Sequence, residues 1–499
     1  MKQFKYILFS IAIGAAFNLT SCSDDFLDTT PTESVSAVTI SETLDGLYIA
    51  LNGIHRNMVS QFLENQGMGG EPGFMICREA EGDDFTWDVQ TWHQTYLQWA
   101  PNKSETSSYN AGFWRTYYQF ILNANLILEG LEKNFANSSD PMAKYIKGEA
   151  LCIRAWSHFN LVQLYAKRYE ASSNNTQDGI PYRESSEIVP IARNSVNDVY
   201  QKINADLDNA IALLDGYEPY DVTHYSQAAA YGLKARVTLA QQNYTDAAAA
   251  AVAAINAAEA TGATLMTKNQ LMGGFADITT NTKEAIYAAK TLNDQTVYFY
   301  SFYAYMGWNF NSSSNRTGIK CISSTTYDLM SATDLRRQWW DPTGTASVPS
   351  SSYNKRVYQH RKFMARSTAD PVGDVAFMRL SEMYLTAAEA YARAGNDLLA
   401  KQYLKKFVAE RDPSYTDSSN SGVALAEEIM NHRRIELWGE GFRWFDLKRL
   451  HLDVHRTGTN YNISFAGFLD KDKDAPEWVY EIPKAETDYN LLCTKNHQK

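Results

Sequence analysis

Residues 231–247 read YGLKARVTLAQQNYTDA, and residues 384–400 read YLTAAEAYARAGNDLLA. The two stretches carry identical residues at matching offsets: Tyr231 and Tyr384, Ala235 and Ala388, Asn243 and Asn396, and Ala247 and Ala400. Small residues at fixed places allow two helices to approach closely, and each asparagine falls where a turn between helices is expected. This pattern is typical of tetratricopeptide-type helix hairpins, whose full repeat is about 34 residues. Because only fragments match, we expect degenerate hairpins that stack into a scaffold.

The sequence around these hairpins also favours helices. GEALCIRAWSHFNLVQLY (148–165) is apolar on nearly every side, which predicts a buried helix. SVNDVYQKINADLDNAIALLDG begins with Ser195, a candidate N-cap, and ends at Gly216. We therefore predict a mostly α fold, with a tetratricopeptide-like helical hairpin scaffold, long irregular loops and minor β structure.

Long stretches without helical periodicity separate the predicted helices. They cover residues 63–112, 171–194, 261–282, 305–356 and 411–423. Loops of this length in a compact protein are usually functional or mobile. A helical frame with large loops indicates a binding protein.

The start of the chain resembles the export signal of a bacterial lipoprotein. Two lysines precede an apolar run, Ile7–Leu19, that is too short to span a bilayer as a helix. The run ends in Leu-Thr-Ser-Cys, the pattern of a lipobox, in which the cysteine is acylated after cleavage. We therefore predict a signal peptide over 1–21, a lipid on Cys22 and a tether over 22–40. An ordinary signal peptide with a chance cysteine is the alternative.

Acidic residues follow this cysteine at once. Ser23, Asp24 and Asp25 resemble the tag that certain Gram-negative bacteria use to direct lipoproteins to the outer leaflet. A solvated linker is the alternative. With the tag, the expected location is the outer membrane, with the protein facing the cell exterior.

Composition excludes several classes of protein. The net charge of −11 argues against nucleic-acid binding, which requires a basic surface. The remaining cysteines (Cys77, Cys152, Cys321 and Cys493) match no zinc spacing, and we expect them to be unpaired. The unusual feature is the number of amphipathic rings, with 31 tyrosines and 11 tryptophans. Such rings suit wet, specific binding surfaces because they combine an apolar face with a polar group.

Little in the sequence looks catalytic. It contains no Gly-x-Ser-x-Gly, His-Glu-x-x-His or phosphate-loop motif. EGDD (81–84) groups three carboxylates, but adjacent acids point in different directions and more often cap or solvate a loop than form a glycosidase pair. His451 and His455 lie one turn apart without a third ligand, and DKDKDAPEWVYE (470–481) has Ala475 where a calcium loop needs glycine. We therefore predict no enzyme activity, no metal site and no cofactor.

Seven stretches of the sequence form a recognisable series: CSDDFLDTTPTESVS (22–36), LDGLYIALNGI (44–54), EGDDFTW (81–87), FWRTYYQFILNANLIL (113–128), GEALCIRAWSHFNLVQLYA (148–166), MRLSEMYLTAAEAYARAG (378–395) and RRIELWGEGFRWFDLKRL (433–450). Together and in this order they resemble the SusD/RagB family of outer-membrane nutrient-binding lipoproteins. Two departures appear: Leu491-Leu492-Cys493 replaces a Gln-Asn-Pro-Gly-Tyr-like segment, and residues 164–182 carry an insert. The resemblance implies two halves of one body, 41–280 and 281–499.

The stretch 433–450 has a structural interpretation of its own. Trp438, Phe442 and Phe445 recur at helical spacing, which predicts core positions. The charged residues of the stretch are expected to form ion pairs within or between helices: Arg434, Glu436, Arg443 and Asp446. A strong family motif does not by itself assign a ligand-binding role.

The resemblance also implies a function. Proteins of this family sit over a TonB-dependent (SusC-like) outer-membrane transporter and capture oligosaccharides without cleaving them, while a minority take peptides. We therefore expect an oligosaccharide as the ligand and such a transporter as the partner. A peptide-binding member of the family and, further away, a surface glycosidase are the alternatives.

Two aromatic segments are the candidate ligand sites, since sugar rings stack on aromatic faces and their hydroxyls bind amides. In 85–102, a helix would place Trp92, Tyr96 and Trp99 on one face, although burial of that face is the open alternative. In 298–316, the alternation of Tyr298, Tyr300 and Phe302 favours a half-buried strand. The predicted ligand-binding residues are Trp92, Tyr96, Trp99, Asn102, Tyr303, Tyr305, Trp308 and Asn309.

Overall fold

The computed structural model describes residues 40–60, 66–292 and 301–497. The predicted signal peptide and lipid-bearing Cys22 lie outside the described residues, as does nearly all of the predicted tether. Helices make up most of the fold. In chain order they are α1 (Leu44–Asn57), α2 (Gly70–Glu81), α3 (Gln94–Leu97), α4 (Ser108–Phe135), α5 (Pro141–Tyr165), α6 (Val196–Leu213), α7 (Gln227–Ala240), α8 (Tyr244–Ala260), α9 (Lys268–Leu271), α10 (Phe302–Met306), α11 (Ser313–Arg316), α12 (Ser324–Tyr327), α13 (Leu380–Arg393), α14 (Asp397–Val408), α15 (Gly422–Glu436), α16 (Arg443–Leu450), α17 (Ile463–Ala466) and α18 (Lys484–Tyr489).

Short strands supply a minor β component, as the sequence predicts. They are β1 (Phe85–Thr86), β2 (Ala285–Ala289), β3 (Cys321–Ile322), β4 (Trp340–Asp341), β5 (Gln359–His360), β6 (Val375–Arg379), β7 (Val454–His455) and β8 (Asp470–Lys471). Four of them form an antiparallel sheet in the order β1-β3-β5-β4, while β2 pairs with β6 and β7 with β8. Phe85 lies opposite Ile322, so the sheet joins the start of the first candidate segment to the chain that follows the second.

The repeated stretches form helix hairpins, which confirms the fold class. α7 packs on α8, α8 on α13, and α13 on α14. Asn243 and Asn396 are the N-caps of the second helix of each hairpin, and each side-chain oxygen accepts a hydrogen bond from the backbone N–H three residues later. This capping satisfies an N–H group that has no partner inside the helix. The four repeated alanines are fully buried where these helices meet: Ala235, Ala247, Ala388 and Ala400.

The other predicted helices are also confirmed. Residues 148–165 lie within α5 and are almost all buried. Ser195 is the N-cap of α6, and its hydroxyl accepts a hydrogen bond from the backbone N–H of Asp198. α6 ends at Leu213, three residues before Gly216, which has a left-handed φ of 73°.

The prediction of an irregular stretch over 63–112 is wrong for α2. All twelve residues of this helix are buried. Its sequence, GEPGFMICREAE, contains two glycines and a proline, and its N-cap Gly69 makes no side-chain hydrogen bond. The local sequence therefore gives no helix signal, and burial on every side stabilises the helix instead.

The prediction that EGDD (81–84) caps or solvates a loop is also wrong. Glu81, Asp83 and Asp84 are buried. Asp83 Oδ1 lies 2.6 Å from Arg443 Nε, and Asp84 Oδ1 lies 2.6 Å from an Nη of Arg434. These acids are therefore the internal counter-ions of the stretch 433–450.

That stretch forms the predicted ion pairs and Trp438 takes the predicted core position, whereas Phe442 and Phe445 are only partly buried. Its charged residues form the expected ion pairs, including Glu436 with Arg411 at 3.1 Å and Asp446 with Arg433 at 2.9 Å. Trp438 is fully buried and its indole N–H donates to the Asp84 carbonyl at 2.8 Å. The stretch fixes the chain that leads into β1.

One cluster of buried hydrophobic residues extends from Leu47 to Cys493. It includes residues on both sides of position 280, so the proposed division into two halves stays a prediction. Cys77, Cys152, Cys321 and Cys493 are buried and free, as predicted. In the part of the chain that the structure describes, no helix has the length and apolar character needed to cross a membrane.

We predict that Glu81→Gln weakens the pH dependence of stability. Burial raises the pKa of Glu81 to about 8, against about 4.5 when the chain is unfolded. The folded state therefore holds a proton that the unfolded state releases, so this contribution is complete below about pH 4.5 and is lost as the pH rises through about 8. Glutamine is neutral throughout, so the free energy of unfolding should fall less between pH 5 and pH 9, as measured by urea denaturation.

Glu132→Gln is the matched control for this prediction, because Glu132 is exposed on α4. It should keep the wild-type slope. A Glu81→Gln slope that equals the wild-type slope would contradict the prediction.

Candidate functional site

A polar groove of about 700 Å³ lies between the two segments that the sequence singles out. One wall comes from the chain around α3, and the other from α11 and the residue that follows it. The residues that line the groove carry amide, hydroxyl and aromatic groups: Gln90, Thr91, Trp92, Gln94, Thr95, Gln98, Tyr109, Ser313, Ser314 and Thr317. Among the described residues, the lining contains no charged side chain.

Trp92 is the exposed ring of this groove, with 47% of its surface accessible. Its neighbour His93 is buried, and the imidazole Nε2 lies 2.7 Å from the Gly67 carbonyl oxygen. The His93 ring also packs edge-on against Tyr305, with centroids 4.8 Å apart. The contacts of His93 fix the backbone next to Trp92, while the Trp92 indole stays exposed. The indole is therefore held in position before a ligand binds.

Buried Lys320 fixes the opposite wall. Its ammonium group donates to the Ser314 hydroxyl at 2.6 Å and to the Ser314 carbonyl at 3.2 Å. Burial lowers the pKa of Lys320 to about 7. Gly318 allows the chain after α11 to pack closely against Thr91 of the first wall. A Cβ at position 318 would lie only 2.6 Å from Thr91 Cγ2.

Two polar atoms beside the groove have no hydrogen-bond partner among the described residues. The hydroxyl oxygens of Thr91 and Thr95 are buried and form no hydrogen bond in the described structure. Gln98 donates its amide to the Phe465 carbonyl at 3.1 Å, which fixes that side chain at the rim. Buried polar groups are normally paired, so these two hydroxyls are exceptions that keep unused hydrogen-bonding capacity next to the groove.

The predicted helix face over 92–99 does not form. α3 spans only Gln94–Leu97, and Trp99 has a left-handed φ of 54°. Tyr96 and Trp99 are buried, which is the alternative that the sequence left open. Tyr96 donates its hydroxyl to the Tyr109 carbonyl at 3.2 Å, so it supports a groove residue from behind.

Trp99 and Asn102 hold the C-terminal part of the chain in place. The Trp99 indole packs edge-on against Trp478, with centroids 4.6 Å apart, and its N–H donates to the Glu81 carbonyl at 2.9 Å. Asn102 is fully buried and its amide donates to the Glu477 carbonyl at 3.0 Å. Neither side chain reaches the groove as described, so a ligand contact by either stays an untested prediction that burial disfavours.

The second aromatic segment differs from its prediction as well. Phe302 begins α10 rather than continuing a strand, and Tyr298 and Tyr300 lie outside the described residues. Tyr303 and Tyr305 are buried, and their hydroxyls donate to the carbonyls of Asp374 at 3.1 Å and Gln66 at 3.0 Å. Both hydroxyls are therefore engaged with the backbone inside the protein, and neither tyrosine lines the groove.

Trp308 and Asn309 lie in partly buried positions away from the groove lining. The Arg361 guanidinium carbon lies 4.5 Å from the Trp308 ring centroid. The Asn309 amide is engaged at both ends with the backbone of Ala365, at 2.8 and 2.9 Å. Of the eight predicted residues, Trp92 alone lines the groove.

Sequence reasoning missed the hydrogen-bonding residues of the site. Gln90, Gln94 and Gln98 recur every four residues through the first segment, and a serine-rich run lies at the end of the second. Both signals are present in the sequence. The prediction relied on aromatic residues instead, and most of those are buried in the structure.

Two other cavities have different chemistry. A cavity of about 520 Å³ beside α16 has a mostly basic charged lining that includes Lys167, Arg168 and Lys473. A cavity of about 660 Å³ beside α8 carries the exposed ring of Tyr220 but also the charged side chains of Glu218 and Asp221. Neither combines an exposed ring with an uncharged polar wall.

His451 and His455 do not form a shared metal site in the described structure. His451 Nε2 lies 2.7 Å from Asp474 Oδ1, while His455 is largely exposed and lies near Asp453 and Asp470. The acidic run 470–481 contains the short strand β8 and the turn that follows it rather than a calcium loop.

Comparisons with known proteins agree with this fold. The structure is similar to a SusD-like carbohydrate binding protein from Bacteroides vulgatus (TM-score 0.79, 22% identity, covering 92% of this chain and 98% of that one). It is also similar to a SusD superfamily protein from Bacteroides thetaiotaomicron (TM-score 0.78, 22% identity, covering 91% of this chain and 100% of that one). A SusD superfamily protein from Bacteroides fragilis is similar as well (TM-score 0.71, 24% identity, covering 91% of this chain and 99% of that one). At these identities the likeness shows the fold. No curated protein matches the sequence.

Two family models match the sequence itself. Residues 25–239 match a model described as starch-binding associating with outer membrane. Residues 163–493 match the model of the SusD family and cover about two thirds of the chain. The protein therefore belongs to the SusD family, as the motifs in its sequence predict.

Proposed function

We propose that this protein captures a neutral oligosaccharide in the groove around Trp92 and delivers it to a TonB-dependent outer-membrane transporter. The matched family descriptions, starch-binding with an outer-membrane association and the SusD family, support carbohydrate binding. One relative of the same fold is itself described as a carbohydrate binding protein. Capture would occur without cleavage.

The observation that carries the proposal is an exposed indole above an uncharged polar wall. A sugar ring offers an apolar C–H face to an aromatic ring, and its hydroxyls both donate and accept hydrogen bonds. Glutamine amides and threonine and serine hydroxyls match this double role. The lining described above supplies each of these groups within one groove.

The same lining disfavours the two alternatives. Glycoside hydrolysis needs a pair of carboxylates about 5–9.5 Å apart across the scissile bond, and no described groove residue carries a carboxylate. A peptide brings charged groups that are best bound by charges of opposite sign, which the described lining does not supply. Neutral glycan capture therefore fits better than either.

The expected location follows from the sequence start. A lipid on Cys22 would anchor the chain to the outer membrane, and the acidic residues after it would direct the protein to the cell surface. The transporter is proposed as the partner because the protein belongs to the SusD family, and the resemblance to that family implies work with an outer-membrane transporter in nutrient import. Labelling with a radioactive fatty acid, lost in Cys22→Ser, would test the anchor.

We predict that Trp92→Ala weakens glycan binding at least about 30-fold, the usual cost of removing a central tryptophan anchor. The indole supplies the stacking face, and no other described residue of the groove replaces it. The measurement is affinity electrophoresis and tryptophan fluorescence of residues 23–499 against a panel of neutral and charged polysaccharides and peptides. Release of reducing sugar is assayed alongside.

Tyr220→Ala is the matched control, because it removes a ring that is 96% exposed in a different cavity. It should leave binding unchanged. Loss of binding in Tyr220→Ala with retention in Trp92→Ala would move the site to that cavity. Release of sugar, or binding to peptides alone, would overturn the proposed function.

A further inference from the structure

Three side chains from distant parts of the chain bring metal-ligating atoms together, and none of them lines the groove. His55 lies on α1, Glu149 on α5 and His224 in the loop before α7. Glu149 Oε2 lies 3.1 Å from His55 Nε2 and 3.0 Å from His224 Nδ1. Within the described ranges, no other set of three histidine, cysteine or carboxylate groups converges in this way.

We propose that His55, Glu149 and His224 form a binding site for Zn²⁺. Two imidazole nitrogens and one carboxylate oxygen are an established donor set for zinc. Donors about 2.0–2.1 Å from a tetrahedral zinc ion lie about 3.3 Å from one another. The Glu149 oxygen lies within a few tenths of an ångström of this separation from each nitrogen, at 3.0 and 3.1 Å, and all three donor atoms lie within 4.8 Å of one another, so small shifts of the two imidazoles would place the donors around one ion. The fourth position is left for water.

The second nitrogen of each imidazole is oriented by a tyrosine. Tyr287 Oη lies 2.9 Å from His55 Nδ1, and Tyr48 Oη lies 3.3 Å from His224 Nε2. Zinc-ligating histidines typically have such a partner, which fixes the ring and its tautomer. Here both rings are held with one nitrogen facing Glu149.

Zinc binding requires the proton on each imidazole to move from the nitrogen that faces Glu149 to the other ring nitrogen, and both rings stay neutral. Without metal, each neutral imidazole donates its N–H to Glu149 and accepts from a tyrosine hydroxyl. With zinc bound, the proton moves to the other ring nitrogen and is donated to the tyrosine oxygen. The Tyr287 hydroxyl can then donate to Met58 Sδ, which lies 3.0 Å away, and Tyr48 is only partly buried and can donate to water.

The surroundings of Glu149 favour a bound cation. Its carboxylate is fully buried and accepts hydrogen bonds from both imidazoles. The Tyr225 backbone N–H and the Tyr217 hydroxyl also donate to the carboxylate, at 2.9 and 3.1 Å. The side chains are at most 9% exposed, so a zinc ion here would join α1 to α5 and to the start of α7 as a structural clasp.

The test uses untagged residues 23–499, freed of metal with a chelator. Isothermal titration with Zn²⁺ at pH 7.5 is expected to show one ion per chain. Co²⁺ in the same site is expected to give the strong visible absorption of tetrahedral coordination. Glu149→Gln and His224→Ala should each weaken zinc binding at least about 10-fold. The double variant His451→Ala, His455→Ala removes two imidazoles that lie outside the proposed site, and it should bind as the wild type does.

Circular dichroism in the presence of chelator shows whether each variant folds. If Glu149→Gln and His224→Ala fail to fold, the wild-type cobalt spectrum and the rise in melting temperature with added Zn²⁺ decide the question. The proposal is overturned by absence of stoichiometric binding, by an octahedral cobalt spectrum, by unchanged affinity in folded Glu149→Gln or His224→Ala, or by loss of binding in the His451, His455 variant.

Discussion

Glu436→Gln is expected to lower the free energy of unfolding by about 3–5 kcal/mol, the usual cost of removing one partner from a buried ion network. The Glu436 carboxylate is fully buried, and it accepts hydrogen bonds from Arg379 and Arg411 at 3.1 Å and from Arg336 at 3.4 Å. Glutamine removes one negative charge from the surroundings of three buried guanidinium groups. Its amide N–H groups would also point at guanidinium N–H groups, which cannot accept hydrogen bonds. Urea denaturation at pH 7, followed by circular dichroism, measures the loss.

The pH dependence provides a second check on Glu436. Burial alone would raise its pKa, but the charges of Arg411, Arg379 and Arg336 hold the pKa well below its usual range. Its contribution to stability is therefore complete above the unfolded pKa of about 4.5 and is lost as the pH falls. The difference in the free energy of unfolding between the wild type and Glu436→Gln should therefore become smaller as the pH falls below about 4.5.

Glu427→Gln is the control, because Glu427 is exposed on the same helix, α15. It should change stability by less than about 0.5 kcal/mol. A loss below about 1 kcal/mol in Glu436→Gln would show that the network tolerates a missing charge.

Trp438→Ala is expected to destabilise the protein by about 3–5 kcal/mol, the range for removal of a buried large aromatic side chain. The Trp438 ring lies 4.9 Å from Phe85 and 5.3 Å from His360, centroid to centroid, so it covers β1 and β5. Its loss leaves a cavity under the strand that leads into the groove. Thermal and urea unfolding measure the loss, and hydrogen exchange should become faster over residues 85–98.

Trp438→Phe separates the two contributions of this indole. Phenylalanine keeps most of the packing but loses the 2.8 Å hydrogen bond to the Asp84 carbonyl. This loss should cost about 0.5–1.5 kcal/mol, because the carbonyl still accepts a hydrogen bond from the Ser323 backbone N–H. Equal destabilisation by alanine and phenylalanine would contradict the cavity argument.

The helical scaffold could be predicted because its signals are local. The alanines and capping asparagines of the two hairpins act through neighbouring turns, and the apolar stretch 148–165 needs no partner to be recognised as a buried helix. α2 could not be predicted in this way. Its glycines and proline oppose a helix locally, and only the surrounding core stabilises it.

The candidate site could be predicted only in part. Composition and family motifs drew attention to the aromatic segments, one of which carries Trp92, but an aromatic ring is used equally well in a core and on a surface. Burial depends on contacts with distant residues, such as Trp478 for Trp99 and Asp374 for Tyr303. The sequence therefore could not separate the exposed Trp92 from the buried rings around it.

The sequence by itself determined the helical class, the hairpins, the ionic role of 433–450 and membership of the SusD family, because each depends on residue types at short or motif-fixed spacing. The tertiary structure alone decided which ring is exposed, which amides and hydroxyls surround it, and that His55, Glu149 and His224 meet. Those relations join residues up to about two hundred positions apart, and only the packing of the whole chain brings them within contact distance.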